Sequence, residues 1–150
     1  MIDPALFTRF PLFQDISPVI LEKIAAISHE HVLAKGEAVF REGQTAQKLH
    51  FLLKGSVALK VSIMSKPDSV TVSFVAKAYE CFGWSGLVRP HHYTASAYCD
   101  EETSILEMDG EELVKILSAN PEAGYKVMSR IAELVSDRLR NSRQALLKTL

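Results

Sequence analysis

The hydrophobic period of this chain changes twice, and those changes constrain its fold more than any single motif. Ser17-Pro18 supplies a cap and a first-turn proline, after which Ile20, Ile24 and Ile27 recur at helical spacing. That pattern predicts a short amphipathic helix over 17–28. From about residue 29 the repeat shortens to two residues. Val57, Leu59, Val61 and Ile63 alternate with Ala58, Lys60 and Ser62. Val70, Val72 and Phe74 flank Thr71 and Ser73, and Ala95, Ala97 and Cys99 flank Ser96 and Tyr98. Alternation of this kind marks strands with one face on a core and one in water. Glycines at 36, 43, 55, 83 and 86 punctuate the strands, and the polar stretch 64–69, MSKPDS, reads as a hairpin tip. Short strands separated by turn signals predict a small antiparallel roll or barrel.

Helix then returns. Asp109 is the expected cap of a short helix ending near Ser118, and Asn120-Pro121 opens a second one with no later proline. Running nearly to Leu150, it would be roughly 40 Å long at 1.5 Å per residue. Met128, Ala132, Val135, Leu139, Ser142 and Leu146 step by 4, 3, 4, 3 and 4 along it. This is a coiled-coil seam with one polar position. Ile131 and Leu134 lie beside the seam and could face the roll. A helix of this length has to bury its seam somewhere; homodimerisation through Met128, Ala132, Val135, Leu139 and Leu146 is expected, the alternative being that the helix folds back on its own domain.

Composition closes off several classes. Seventeen basic residues stand against eighteen acidic ones, so no global field draws the chain to nucleic acid or an anionic membrane. No run approaches the roughly 18 apolar residues of a membrane span, and MIDPALFTRF lacks the pattern of a signal peptide. Two cysteines, Cys81 and Cys99, do not build a disulfide framework. The expectation is one cytoplasmic domain with free thiols. No nucleophile elbow, Walker loop or paired carboxylates point to catalysis.

Residues 81–97, CFGWSGLVRPHHYTASA, are the most specific stretch. Gly83 and Gly86 bracket Trp84-Ser85. Leu87-Val88 follow, then Arg89-Pro90, then a strand expected to begin at Tyr93-Thr94-Ala95. This reads as a strand, a tight turn, one turn of helix whose backbone N–H groups could meet an anion, and a return strand.

Upstream lie Lys35–Gly43, KGEAVFREG, and Phe51–Gly55, FLLKG. Together with G-x-x-G-L ahead of A-x-A and the long closing helix, they resemble the cyclic-nucleotide-binding domain. That family includes the catabolite activator protein, protein kinase A regulatory subunits and nucleotide-gated channels. The likeness runs over about residues 5–145. It implies an α+β fold, an antiparallel β-roll (jelly-roll, cupin-like double-stranded β-helix) flanked by a short N-terminal and a long C-terminal helix. The single domain would span 1–150, with the roll at about 29–108, C-terminal helices at about 109–148 and no DNA-binding domain. It also implies a regulatory module, not an enzyme, whose ligand is a cyclic nucleotide or another small molecule.

In that family the cassette is similar to G-E-x-A-L followed by R-[ST]-A. Its glutamate accepts a hydrogen bond from the ribose, and its arginine pairs with the cyclic phosphate. Here Gly83, Gly86, Leu87 and Thr94 keep the frame, while Trp84 holds the glutamate position and Tyr93 the arginine position. Two hydrogen bonds to charged groups, roughly 1.5–3 kcal/mol each, are worth on the order of 10²–10⁴ in affinity. Tight binding of cyclic AMP or cyclic GMP is therefore not expected. The expected ligand contacts are Gly83, Trp84, Ser85, Gly86, Leu87, Arg89, Tyr93, Thr94 and Ala95, with Arg138 reaching in from the long helix. Arg89, His91, His92 and Arg138 could return positive charge to the pocket. Tyr93 could donate its phenol to an anion, and Trp84 is either a stacking plate or a plug.

Three other readings were open at this point. A transcription factor of the same superfamily would use a helix-turn-helix after the long helix. Residues 121–150 carry six basic and three acidic residues, a modest excess that suits a solvated helix face. A metal-holding roll would use His29-x-His31 with Glu37 and Glu42 nearby, but no further histidine completes a ligand set. A ligand-free dimerising adaptor, its pocket plugged by Trp84, is the third. No downstream protein partner can be named from the sequence.

Overall fold

The structure is a computed structural model that describes residues 2–64 and 66–150. Two four-stranded antiparallel sheets form the roll. Its strands are β1 (Ser28–Leu33), β2 (Ala38–Phe40), β3 (Lys48–Lys54), β4 (Val57–Val61), β5 (Val70–Val75), β6 (Cys81–Phe82), β7 (Ser96–Cys99) and β8 (Thr103–Asp109). One sheet has the order β1-β8-β3-β6, the other β2-β7-β4-β5. Ser65, within the expected hairpin tip between β4 and β5, lies outside the described residues.

Alternation assigns the two faces of the first sheet to two cores. On β3, His50 and Leu52 point between the sheets, where Leu52 joins Phe40, Val57, Leu59, Val75, Phe82 and Ile105. Leu49 and Phe51 point outward and are equally buried, because the N-terminal segment and all three helices cover that face. Two 3₁₀ turns, Pro4–Arg9 and Pro11–Phe13, lead into helix α1 (Pro18–Ala26). They bury Phe7, Phe10 and Phe13 against Phe51, with ring centroids of Phe10 and Phe13 5.0 and 5.5 Å from it. The Ser17 hydroxyl caps α1 by accepting from the Ile20 N–H. Leu21, Ile24 and Ala25 form its buried face, so the face is turned somewhat from the expected Ile20-Ile24-Ile27 stripe.

One strand departs from its expected parity. Leu59 pairs with Ser73 but Lys60 pairs with Thr71, leaving Val72 as the extra residue of a β-bulge. The bulge shifts the alternation by one residue. Val72 and Val75 are buried, and Phe74, expected on their face, is 57% exposed.

Helix α2 (Gly110–Ala119) is capped by Asp109, whose carboxylate accepts from the N–H groups of Glu111 and Glu112. Helix α3 (Pro121–Leu147) has 27 residues and runs against β5. Arg130 ties it to the N-terminal turns, donating to the carbonyls of Leu12 and Gln14 at 3.1 and 2.7 Å. Val127 and Ile131 are buried, and Leu134 packs beside them. Met128, Val135 and Leu139 remain on the outer face, 39, 40 and 59% exposed, and Ala132 is exposed with them.

The expected seam does not stay outside to its end. Leu146 packs with Ala145 against the inner core of the roll, so it is not part of the free stripe. A heptad pattern drifts about 20° per repeat around a straight α-helix. Two repeats beyond Met128 and Ala132, roughly 40° of drift carries Ser142 and Leu146 toward the roll. Among the described residues, no helix is long and apolar enough to cross a membrane.

Candidate functional site

The cassette begins where β6 ends. Gly83 takes φ +68°, and a Cβ there would stand 2.6 Å from the Phe40 ring and 2.7 Å from His50 Nδ1. Only glycine fits both the left-handed backbone and the space. A 3₁₀ turn, Trp84–Gly86, follows. At Gly86 the obstacle is backbone, because an added Cβ would approach the Lys48 carbonyl oxygen to 2.9 Å. Gly110 in turn packs on the Gly86 carbonyl. The cassette thus rests directly on the start of α2 and on β3.

Beyond the turn the chain passes through a cis Arg89-Pro90 bond and His91 at φ +59°, with His91 Nδ1 3.1 Å from the Ser85 carbonyl oxygen. The return strand starts at Ser96, not at Tyr93. Thr94 and Ala95 instead form the bend that leads into it.

A cavity of about 100 Å³ lies between this cassette, β4, β5 and α3. Of the expected contacts, Gly83, Trp84, Ser85, Tyr93, Thr94, Ala95 and Arg138 line it. Three do not. Gly86 is held against β3 and Gly110, and Leu87 is buried in the outer core. Arg89 is exposed, facing a separate groove shared with His91, Asp109 and Glu111. It therefore does not line the cavity. His92 is exposed and bridges to Thr45.

Phe40, Leu59, Val61, Val72 and Ser142 complete the wall. Leu59, Val61 and Val72 carried a signal as the inward residues of alternating strands. Ser142 was the polar step of the seam, and its place facing the cavity accounts for a hydroxyl there.

Tyr93 is 7% exposed and stacked on Phe40, with centroids 3.9 Å apart and planes 9° from parallel. Its phenol donates to the Lys48 carbonyl oxygen at 3.3 Å, so it is committed to the backbone and does not offer the anion contact considered above. Burial pushes that phenol's pKa up to about 12. Arg138 lies over Trp84, its Cζ 5.1 Å from the ring centroid, a cation–π distance. Burial lowers the guanidinium's pKa, against the opposing influence of Glu80 and Cys81. Buried Cys81 is itself pushed up by desolvation.

Behind the cavity lies a polar group that sequence reasoning missed. His50, 2% exposed, faces Glu107 across β3 and β8, its Nε2 3.2 Å from Glu107 Oε2, while His31 Nε2 is 2.8 Å from Oε1. Burial would raise the pKa of Glu107, but the hydrogen bond and charge of His50, with Lys48 and His31, leave it lowered. Among the described residues, His50 Nδ1 has no hydrogen-bond partner. The two carboxylates considered as companions of His29-x-His31 are engaged elsewhere. Glu37 accepts from the Ala34 N–H, and Glu42 from the Ser62 N–H. Among the described residues, no three His, Cys, Asp or Glu residues are placed to hold a metal ion.

Comparison with known proteins agrees with this geometry. A family profile described as "Cyclic nucleotide-binding domain" matches residues 30–120. A solved structure from Geobacter metallireducens GS-15, assigned as a cyclic nucleotide-binding protein, is 30% identical. It superposes with a TM-score of 0.79, over 93% of this chain and 99% of that one. Two curated relatives are much longer proteins. One, from Rhodopseudomonas palustris and assigned as a potassium channel, is 21% identical over 82% of this chain. The other, glutaminase 1 of Bradyrhizobium diazoefficiens, is 25% identical over 86% of this chain. The chain spans only 29% and 20% of their respective lengths. With the roll, the glycine frame of the cassette and the closing helix all in place, the chain belongs to the cyclic nucleotide-binding domain family.

Proposed function

We propose that this domain is a non-enzymatic ligand-sensing module in which cyclic AMP and cyclic GMP are not held tightly, and that it works as a homodimer through α3. The observation that carries this reading is the state of the cassette cavity. Trp84 and Tyr93 occupy the positions of the family's two polar anchors. Tyr93 is tied to the Lys48 carbonyl, and the remaining space is about 100 Å³. Sites for drug-sized ligands usually measure roughly 300–1,000 Å³.

The cation that remains at the cavity is Arg138, which lies on α3. A ligand reaching Arg138 would bear directly on the helix that carries the exposed seam. Ligand sensing and dimer geometry would then share one element. Such coupling requires a ligand that binds two arrangements of α3 with different affinity.

Isothermal calorimetry with cyclic AMP and cyclic GMP tests the reading. Dissociation constants well above 10 µM are expected, and one below about 10 µM would show that the substitutions at 84 and 93 are compensated. A ligand-free dimerising adaptor is a second reading, favoured by the same small volume. The adaptor requires the cavity to stay closed to every solute.

A further inference from the structure

We propose that the cavity beneath Trp84 binds a single-ring aromatic monocarboxylate, with its carboxylate on Arg138. The inference rests on reading the cassette as a ligand-sensing site and goes on to name the chemical class.

Size sets the first limit. An apolar cavity of about 150 Å³ is enough to admit benzene. A space of about 100 Å³ therefore needs only a small outward shift of Trp84 and Arg138 to take one ring. A purine joined to a sugar and a cyclic phosphate would require the whole wall to move.

The lining sets the second. Phe40, Leu59, Val61, Val72 and Trp84 present carbon to the interior, and flat aromatic bodies gain offset or edge contacts from such walls. A strongly hydrated inorganic oxoanion would lose its water there with few donors to replace it.

Charge sets the third. Among the described residues, Arg138 is the one cation on the lining, and no acid lines it. Its guanidinium makes neither an ion pair nor a hydrogen bond among the described residues; it lies over the Trp84 ring, and Glu80 acts on it from beyond ion-pair distance. A half-buried guanidinium with no carboxylate in hydrogen-bond reach is an incomplete arrangement, because a planar carboxylate can take two parallel N–H donors from it. One unpaired cation calls for one negative charge. Ser142, one turn further along α3, and Thr94 of the cassette bring hydroxyls to the same space.

Trp84 is the chain's sole tryptophan, so its fluorescence reports on this cavity alone. Benzoate is the probe, with benzamide as its neutral counterpart and inorganic phosphate and cyclic AMP as competitors. Benzoate is expected to change Trp84 emission saturably and to raise Tm. Benzamide is expected to bind about 10-fold or more weakly, the factor attached to one hydrogen-bonded charge. Arg138→Gln should remove the preference for benzoate over benzamide. The wild-type comparison of the two probes stands even if that variant is poorly folded.

Equal binding of benzoate and benzamide would overturn the assignment of the carboxylate to Arg138. Displacement of benzoate by millimolar phosphate would overturn the aromatic class in favour of a compact oxoanion. Cyclic AMP binding below 10 µM with benzoate silent would reject this ligand class yet leave the sensing reading standing. Silence of Trp84 and of Tm toward every probe would reject this ligand class and favour the adaptor.

Discussion

Replacing Gly83 with alanine isolates the steric demand that the cassette makes on its neighbours. Two effects act at this position. The left-handed backbone, φ +68°, costs an L side chain about 1–2 kcal/mol. The new Cβ would also stand 2.6 Å from Phe40 Cε2 and 2.7 Å from His50 Nδ1. Neither ring is free to withdraw. Phe40 is stacked on Tyr93 and His50 on Phe82, and both are more than nine-tenths buried. Overpacking of this kind costs about 1–3 kcal/mol. Gly36→Ala is the matched control, since Gly36 has φ +88° and nothing within 4 Å of an added Cβ. It should show the backbone effect alone. At about 2–4 °C per kcal/mol for a chain of this size, Gly83→Ala should melt about 2–12 °C below Gly36→Ala. Thermal melts followed by circular dichroism measure the difference, and urea midpoints at constant slope check it. Equal losses in the two variants would mean that Phe40 and His50 yield freely, and the account of a rigid floor beneath the cassette would be wrong.

Two further outcomes are expected. The folded-state pKa of Glu107 is lowered, chiefly by its hydrogen bond to His50, so its contribution is whole above the ordinary carboxylate value, roughly 4.3. It is lost as pH falls through the lowered folded value. Glu107→Gln should therefore destabilise the domain by about 1–3 kcal/mol near neutrality, and chemical denaturation should show the gap to wild type closing below about pH 4. A gap that persists unchanged in acid would assign the loss to packing. In the α3 seam, Val135 and Leu139 are 40 and 59% exposed. The pair of substitutions Val135→Glu and Leu139→Glu should convert a sedimenting dimer to monomer while leaving the monomer fold nearly as stable. A wild-type chain that sediments as monomer at high micromolar concentration would rule out the seam as an interface.

The elements that could be read from the sequence are those fixed by local chemistry. The caps at Ser17 and Asp109 and the Asn120-Pro121 start are each set by a residue and its immediate neighbours. So is the left-handed glycine at 83. The inward faces of β4 and β7 followed from alternation alone. The N-terminal turns were missed although Phe7, Phe10 and Phe13 recur every third residue and Pro4 and Pro11 each open a turn. That spacing is the 3₁₀ period, but it is too short-lived to stand out beside α-helical and strand repeats.

Other features depend on pairing between distant strands, which local patterns do not encode. The bulge at Val72 comes from how β5 meets β4, so Phe74 was assigned to the wrong face. His50 and Glu107 are directly opposite one another, yet 56 residues of intervening chain conceal the pair. Within the site, the glycine frame located the cassette but not the direction of its side chains. Arg89 turns toward the acids near α2, and Tyr93 turns to the Lys48 carbonyl. Those outcomes are decided by which backbone groups the folded loop leaves accessible.

Helix α3 joins these observations because its two faces serve different surfaces. Val127, Ile131 and Leu134 anchor one face to the outer core, and Arg138 and Ser142 carry that same face across the cavity. Leu139, the next residue after Arg138, belongs to the opposite, exposed stripe. Neighbouring residues on an α-helix point about 100° apart, so Arg138 cannot swing its backbone toward a ligand without also rotating Leu139. The anchoring is uneven along the helix. Its first half is held by buried aliphatics and by Arg130 on two N-terminal carbonyls, its end by Ala145 and Leu146 on the inner core, and between them Arg138 lies over Trp84 at a cation–π distance. That contact is worth roughly 0.5–2 kcal/mol, less than the burial of one large aliphatic side chain. A displacement of α3 at the cavity would therefore reach the seam through adjacent residues, working against the packing on either side of it.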